Sequence, residues 1–85
     1  MPKQLFTVRK GRRYWAEITL GFIERLAGND RVAHEISKAG FTEVRVRGTG
    51  RRREATALWP LEDLTAEVPA RISDIRELPE DQQIA

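Results

Sequence analysis

The chain has 85 residues, 40% of them hydrophobic and 33% charged, no cysteine, and a formal net charge of +2. That balance describes a folding chain rather than a disordered or membrane-spanning one, and the length allows one core and no second domain. No apolar run reaches the roughly 20 residues of a membrane helix, the start MPKQLFTVRK lacks the apolar stretch of a secretory leader, and without thiols both disulfides and thiolate chemistry are excluded;. The expectation is a cytoplasmic protein with no membrane partner.

Charge is distributed unevenly. Residues 1–59 hold 13 Lys or Arg against 6 Asp or Glu, whereas residues 60–85 hold 2 against 7. A basic body with an acidic C-terminal segment implies either an acidic or nucleic-acid partner, or an acidic arm folded over its own basic face.

In chain order, Leu5 to Val8 has β character, and the turn-like Arg9-Lys10-Gly11-Arg12 leads into a second strand. There Tyr14, Ala16, Ile18 and Leu20 alternate with Arg13, Trp15, Glu17 and Thr19, the period-2 pattern of a half-buried strand;. The two read as a hairpin, with Phe6 and Val8 on the core side. Phe22, Ile23, Leu26 and Ala27 follow at helical spacing, and Gly28 interrupts. A stronger helix then has Asn29 or Asp30 as N-cap, Val32, Ala33, Ile36 and Ala39 on one face, and an Arg31–Glu35 pair on the other. Gly40 stops it in a left-handed conformation, with Phe41 packing back on Ile36.

Val44 and Val46 then alternate with Glu43, Arg45 and Arg47. Gly48-Thr49-Gly50 turns the chain, and Ala55, Ala57 and Trp59 alternate with Arg52, Glu54, Thr56 and Leu58 up to Pro60;. Beyond it, Val68, Ile72 and Ile75 suggest a short amphipathic helix beginning at Pro69, itself a favourable first helical position. The expectation is a single-domain, two-layer α+β fold over residues 1–78, with residues 79–85 a flexible tail. Its order is β-β-α-β-β, with one four-stranded mixed sheet, one long helix on one face and a short C-terminal helix. The strands before and after the long helix should be parallel, joined by a right-handed crossover. That places the Lys10-Gly11 and Gly48–Gly50 turns at opposite ends.

The segment Tyr14 to Trp59, with strand, helix, Ala39-Gly40-Phe41, strand, turn and strand, resembles one half of ferredoxin-like βαββ modules, which include the peptidoglycan-binding SPOR domains. The resemblance implies topology and carries no ligand site with it.

Arg45, Arg47, Arg51, Arg52 and Arg53 form a basic hairpin, and Trp15 projects from the sheet face opposite the helix. Arginines neutralise phosphates and an open aromatic stacks a base, so these six residues are the candidate nucleic-acid site. Glu17, Glu43 and Glu54 share that face and pair across strands with arginines, which favours a solvated surface. Tyr14 and Trp59 read as core aromatics, and His34 as a surface residue on the helix. No P-loop, GxSxG or HExxH occurs, and neither Ser37 nor Ser73 has a nearby histidine. No catalytic, metal or cofactor residue is therefore assigned, and no enzyme is expected.

The acidic C-terminal segment must dock, either over the Trp15 face or onto a second chain. The reading is a non-enzymatic protein-interaction or assembly module of bacterial or phage type, binding another protein or itself. The alternative is nucleic-acid binding through the 45–53 hairpin and Trp15. Exposure of Trp15 discriminates between them.

Overall fold

The computed structural model describes residues 4–83. Strands β1 (Leu5–Val8) and β2 (Arg12–Thr19) precede one α-helix, α1 (Asn29–Lys38). Strands β3 (Thr42–Thr49), β4 (Arg52–Trp59), β5 (Leu64–Glu67) and β6 (Ile72–Glu77) follow. The architecture is α+β, with two sheets rather than one. A four-stranded sheet has the order β3-β4-β2-β6, and a two-stranded ribbon joins β1 to β5.

Every pairing is antiparallel, which corrects the expected mixed sheet. Strands β2 and β3 do run in the same direction, but β4 lies between them, a split β-α-β arrangement;. The reason is local. The tight Gly48–Gly50 turn returns β4 antiparallel to β3, and inserting β4 beside β2 gives this apolar strand two paired neighbours.

The expected β1–β2 hairpin does not form. Instead Val8 pairs with Leu64 and Leu5 with Glu67. The ribbon still presents Phe6 and Val8 to the core, packed on Tyr14 and Trp59, with Phe6 edge-on to Tyr14 at 5.7 Å. Helix α1 covers the other half of the same sheet face. There Val32 and Ile36 join Ile18, Leu20, Ala55, Val46 and Ile72. The core is thus two adjoining clusters over one face, one roofed by a helix and one by a ribbon.

The expected C-terminal helix is strand β6, and the correction has a specific cause. Between Glu17↔Asp74 and Ile18↔Ile72 the register shifts, because Ser73 is an extra residue on β6. This bulge places Ile75 opposite Ala16 and Ile72 opposite Ile18, so residues three apart point to one side;. The spacing that mimics a helix is that of a bulged strand. Residues 79–83 are not loose either: Gln83 Nε2 donates to the carbonyls of Leu78 at 2.7 Å and Arg13 at 3.1 Å, and its Oε1 accepts from Arg13 N at 2.7 Å. Residues 84 and 85 of the expected tail lie outside the described residues.

Further local differences follow from packing. The Phe22–Ala27 segment makes a single 3₁₀ turn at Glu24–Leu26. The residue capping α1 is Gly28, and no side chain caps it. Asn29 is used elsewhere, its Nδ2 donating to Gly48 O at 3.2 Å. Glu35 pairs with Lys38 at 3.8 Å rather than with Arg31. Phe41 packs edge-on against Trp59, with ring centroids 4.9 Å apart, in the ribbon cluster rather than on Ile36. Gly40 is at φ +120°, and a Cβ there would lie 3.0 Å from the Trp59 ring, so glycine is required twice over;.

Candidate interaction surfaces

The basic turn Arg9–Arg12 meets the acidic C-terminal segment. Glu77 accepts from Arg9 Nη2 at 2.8 Å and from Arg12 Nε at 3.1 Å, and Arg12 also pairs with Glu80. Lys10 Nζ lies 3.0 Å from Glu62, and its amide donates to Asp63. The Glu77 carboxyl is held below its ordinary value, by Arg9 first and also by Arg12, against burial that pushes it up;. Tyr14 anchors the cluster from beneath. Its hydroxyl accepts from Arg9 N at 2.6 Å and donates to Glu77 at 3.2 Å, and burial raises its ionisation above the ordinary value. The acidic segment neutralises this end of the molecule, and it does so from the sheet edge rather than across the Trp15 face.

The face opposite α1 stays open. Across the four strands one row reads Arg45, Thr56, Trp15, Arg76, and the next reads Arg47, Glu54, Glu17, Asp74. Trp15 is half-buried, with the Arg76 guanidinium 4.5 Å from its ring centre. A depression of about 240 Å³ lies beside it, lined by Arg45, Arg47, Glu54 and Thr56. Carboxylates answer most of the cations: Arg47 to Glu54 at 2.7 Å, Arg13 to Glu43 at 2.9 Å and Arg76 to Asp74 at 3.0 Å. Glu43 holds its place from a strained position, φ +50°, at a bulge between Thr42 and Arg45;.

The structure therefore divides the six candidate residues. Trp15, Arg45, Arg47 and Arg52 share the open face. Arg51 lies at the turn, donating from Nε to Leu20 O at 3.1 Å. Arg53 is buried, 4% exposed, and takes no part in any surface. Its Nη1 donates to Asn29 Oδ1 at 2.8 Å, its Nη2 to Arg25 O at 2.9 Å, and its Nε to Gly50 O at 3.1 Å. It ties the 3₁₀ loop, the helix start and the β3–β4 turn together. The sequence did hold a signal: residue 53 has the same strand parity as Ala55, Ala57 and Trp59, the core side.

The molecule's other end differs in kind. There Phe22, Ile23 and Leu26 are 71%, 82% and 76% exposed, in a loop bracketed by Gly21 and Gly28. Glu24 fixes the loop base, accepting from Gly21 N at 2.9 Å and pairing with Arg71. Arg71, then the Gly21 amide, lower its carboxyl below the ordinary value. The Arg25 guanidinium lies 4.5 Å over the Phe22 ring. Arg51 and Leu20 are joined by a backbone bond at 2.6 Å, which brings the Gly48–Gly50 turn alongside. Helical spacing alone, broken at Gly28, gave no sign that these apolar residues stand exposed. The two bracketing glycines, leaving only six residues between them, were the available sign of a loop.

Among the described residues no group of three or more His, Asp or Glu is placed to hold a metal ion, and no helix is long and apolar enough to cross a membrane. His34 is exposed on α1. Comparison with known proteins finds no matching family model, no similar curated protein and no similar solved structure.

Proposed function

We propose that this chain is a non-enzymatic protein-interaction or assembly module that docks through the Gly21–Gly28 loop. One observation carries this reading: Phe22, Ile23 and Leu26 stand at 71%, 82% and 76% exposure side by side. Single exposed apolar residues are ordinary, but three large ones in a single short loop leave in water a surface that association removes. Burial of each returns about 1.5–3 kcal/mol, enough for the centre of an interface.

Site-specific photocrosslinking tests it. With p-benzoylphenylalanine at Ile23 in cells that produce the chain, discrete crosslinked species are expected; at His34, on the outer side of α1, they are not. Equal patterns at both positions, or none at Ile23, would remove the reading. A product at twice the chain mass would identify the partner as a second copy.

The open face supports a second reading, nucleic-acid binding by Trp15 with Arg45, Arg47 and Arg52. What favours it is that the C-terminal backbone does not cross the Trp15 face, since β6 joins the sheet edge and touches the ring with the Arg76 guanidinium. What weighs against it is the interleaving of Glu17, Glu54 and Asp74 with those arginines, because carboxylates repel the phosphates the cations would attract. Titration with single-stranded DNA and RNA at low salt, read at the Trp15 indole and the Arg45 to Arg52 amides, decides it. Absence of shifts at low salt, where such binding is strongest, ends this reading.

A further inference from the structure

We infer that the partner of the Gly21–Gly28 loop is an acidic, apolar peptide segment, one that sets Asp or Glu beside a Leu, Phe or Trp anchor. The inference rests on the docking end proposed above and adds the chemistry of what docks there.

The molecule leaves cationic charge unspent beside this loop. At the opposite end of the molecule Arg9, Lys10 and Arg12 are answered by Glu62, Glu77 and Glu80. On the open face Arg13, Arg47 and Arg76 are answered by Glu43, Glu54 and Asp74. Among the described residues Arg45 of that face has no carboxylate partner, and beside the apolar loop Arg25 has none either. The Arg25 side chain makes no hydrogen bond and no ion pair among the described residues, and its Nε is buried without a partner. An arginine carries five N–H donors in a planar fork suited to carboxylates, and in Arg25 the buried Nε–H is the one whose lack of an acceptor is costly;.

What holds Arg25 is stacking on Phe22 and a backbone carbonyl gripped by Arg53. The guanidinium is thus positioned without being consumed. Arg52, exposed past the neighbouring turn, likewise has no carboxylate partner, and Arg51 uses only its Nε. Three apolar side chains beside the stacked, unpaired Arg25 guanidinium match a segment of complementary sign with an apolar anchor;. An anionic lipid surface shares the charge but fits less well. Asp30 is exposed just after the loop, and a flat headgroup layer meets its carboxylate where a short peptide can pass it by;.

The whole chain, immobilised, is panned against random dodecapeptides displayed on phage, with counter-selection on the I23S/L26S variant. Selected peptides are then synthesised with a fluorescein label and their affinities read by fluorescence polarisation. The expected peptides carry Asp or Glu within three positions of Leu, Phe or Trp. I23S/L26S should weaken them at least about tenfold, since burial of either side chain is worth that much. R25Q/R52Q should weaken them about tenfold at low salt and less at high salt. I23S/L26S alters exposed side chains and R25Q/R52Q breaks no ion pair among the described residues, and unchanged circular dichroism would show that each remains folded.

Peptides without carboxylates, sensitive to I23S/L26S but indifferent to R25Q/R52Q, would overturn the acidic partner and leave the docking end standing. Failure to enrich any peptide over the counter-selected variant would remove both. Sedimentation with phosphatidylserine-rich phosphatidylcholine vesicles is run in parallel, and vesicle binding lost in I23S/L26S would overturn the inference in favour of lipid.

Discussion

Replacing Arg53 by Met keeps the aliphatic stem in the core and removes only the guanidinium. Three acceptors then lose a donor: Asn29 Oδ1 at 2.8 Å, Arg25 O at 2.9 Å and Gly50 O at 3.1 Å. A hydrogen bond from a charged donor is worth about 1.5–3 kcal/mol. Against the three stands the desolvation of a buried guanidinium, several kcal/mol, which methionine does not incur. The net loss should be about 2–3 kcal/mol, or about 10–20 °C in Tm for a domain of this size. Arg52→Met, one residue away but exposed, should stay within about 0.5 kcal/mol of the parent. Urea unfolding, followed by tryptophan fluorescence and far-ultraviolet circular dichroism together, measures both variants. If R53M unfolds at the same urea concentration as R52M, the guanidinium is not the strut joining loop, helix and turn.

Tyr14→Phe removes the acceptor of the Arg9 amide and a donor to Glu77, and should cost about 1 kcal/mol in the same urea assay;. Because Arg9 and Arg12 hold the folded Glu77 carboxyl below its unfolded value, its stabilising contribution is complete above that unfolded value and is lost as pH falls through the folded one;. Glu77→Gln should therefore flatten the decline in the urea midpoint between about pH 5 and about pH 3, and an unchanged slope would contradict this. Gly48→Ala combines φ +109° with a Cβ 2.9 Å from Arg52 O, and a loss of about 2 kcal/mol or more is expected by thermal denaturation;. Acrylamide should quench Trp15 and spare the buried Trp59, so that Trp15→Phe abolishes most of the quenching; a Trp15 as protected as Trp59 would mean that the open face is covered.

What could be read from the residues was what they decide among near neighbours. Helix α1, with its apolar face and glycine stop, depends on contacts within a few positions, as does the β3–β4 hairpin, with its alternation about a two-glycine turn. Strand β6 could not be read in this way. Its isoleucines three apart fit a helix as well as a bulged strand, and the free edge of β2 settles the matter from a distant part of the chain. The β1–β5 ribbon was half hidden for a related reason: Leu5–Val8 was legible as a strand, but its partner Leu64–Glu67 was not, and the two pair far apart in sequence. The open face was legible down to Arg45, Arg47, Arg52 and Trp15, because strand parity assigns them. The apolar loop was not, because helical spacing is all that Phe22, Ile23 and Leu26 display in the sequence. No composition rule says that Phe22, Ile23 and Leu26 are to be left in water.

Strand β2 lies between two partners that arrive late, with Trp15 opposite Thr56 on one side and Arg76 on the other. The β3–β4 hairpin and α1 are close in sequence and can form within microseconds, whereas β2 must first close loops of several tens of residues on each side. Of the two central strands of the finished sheet, β2 is thus the one whose pairing is slowest to complete, and folding should be rate-limited by its capture rather than by helix formation;. On the ribosome the order is stricter, for β2 emerges early and its outer edge stays bare until residues 72–77 have left the exit tunnel. During that interval an apolar strand with one unpaired edge invites pairing with the wrong chain, and the rate of synthesis through the last strand sets how long the risk persists.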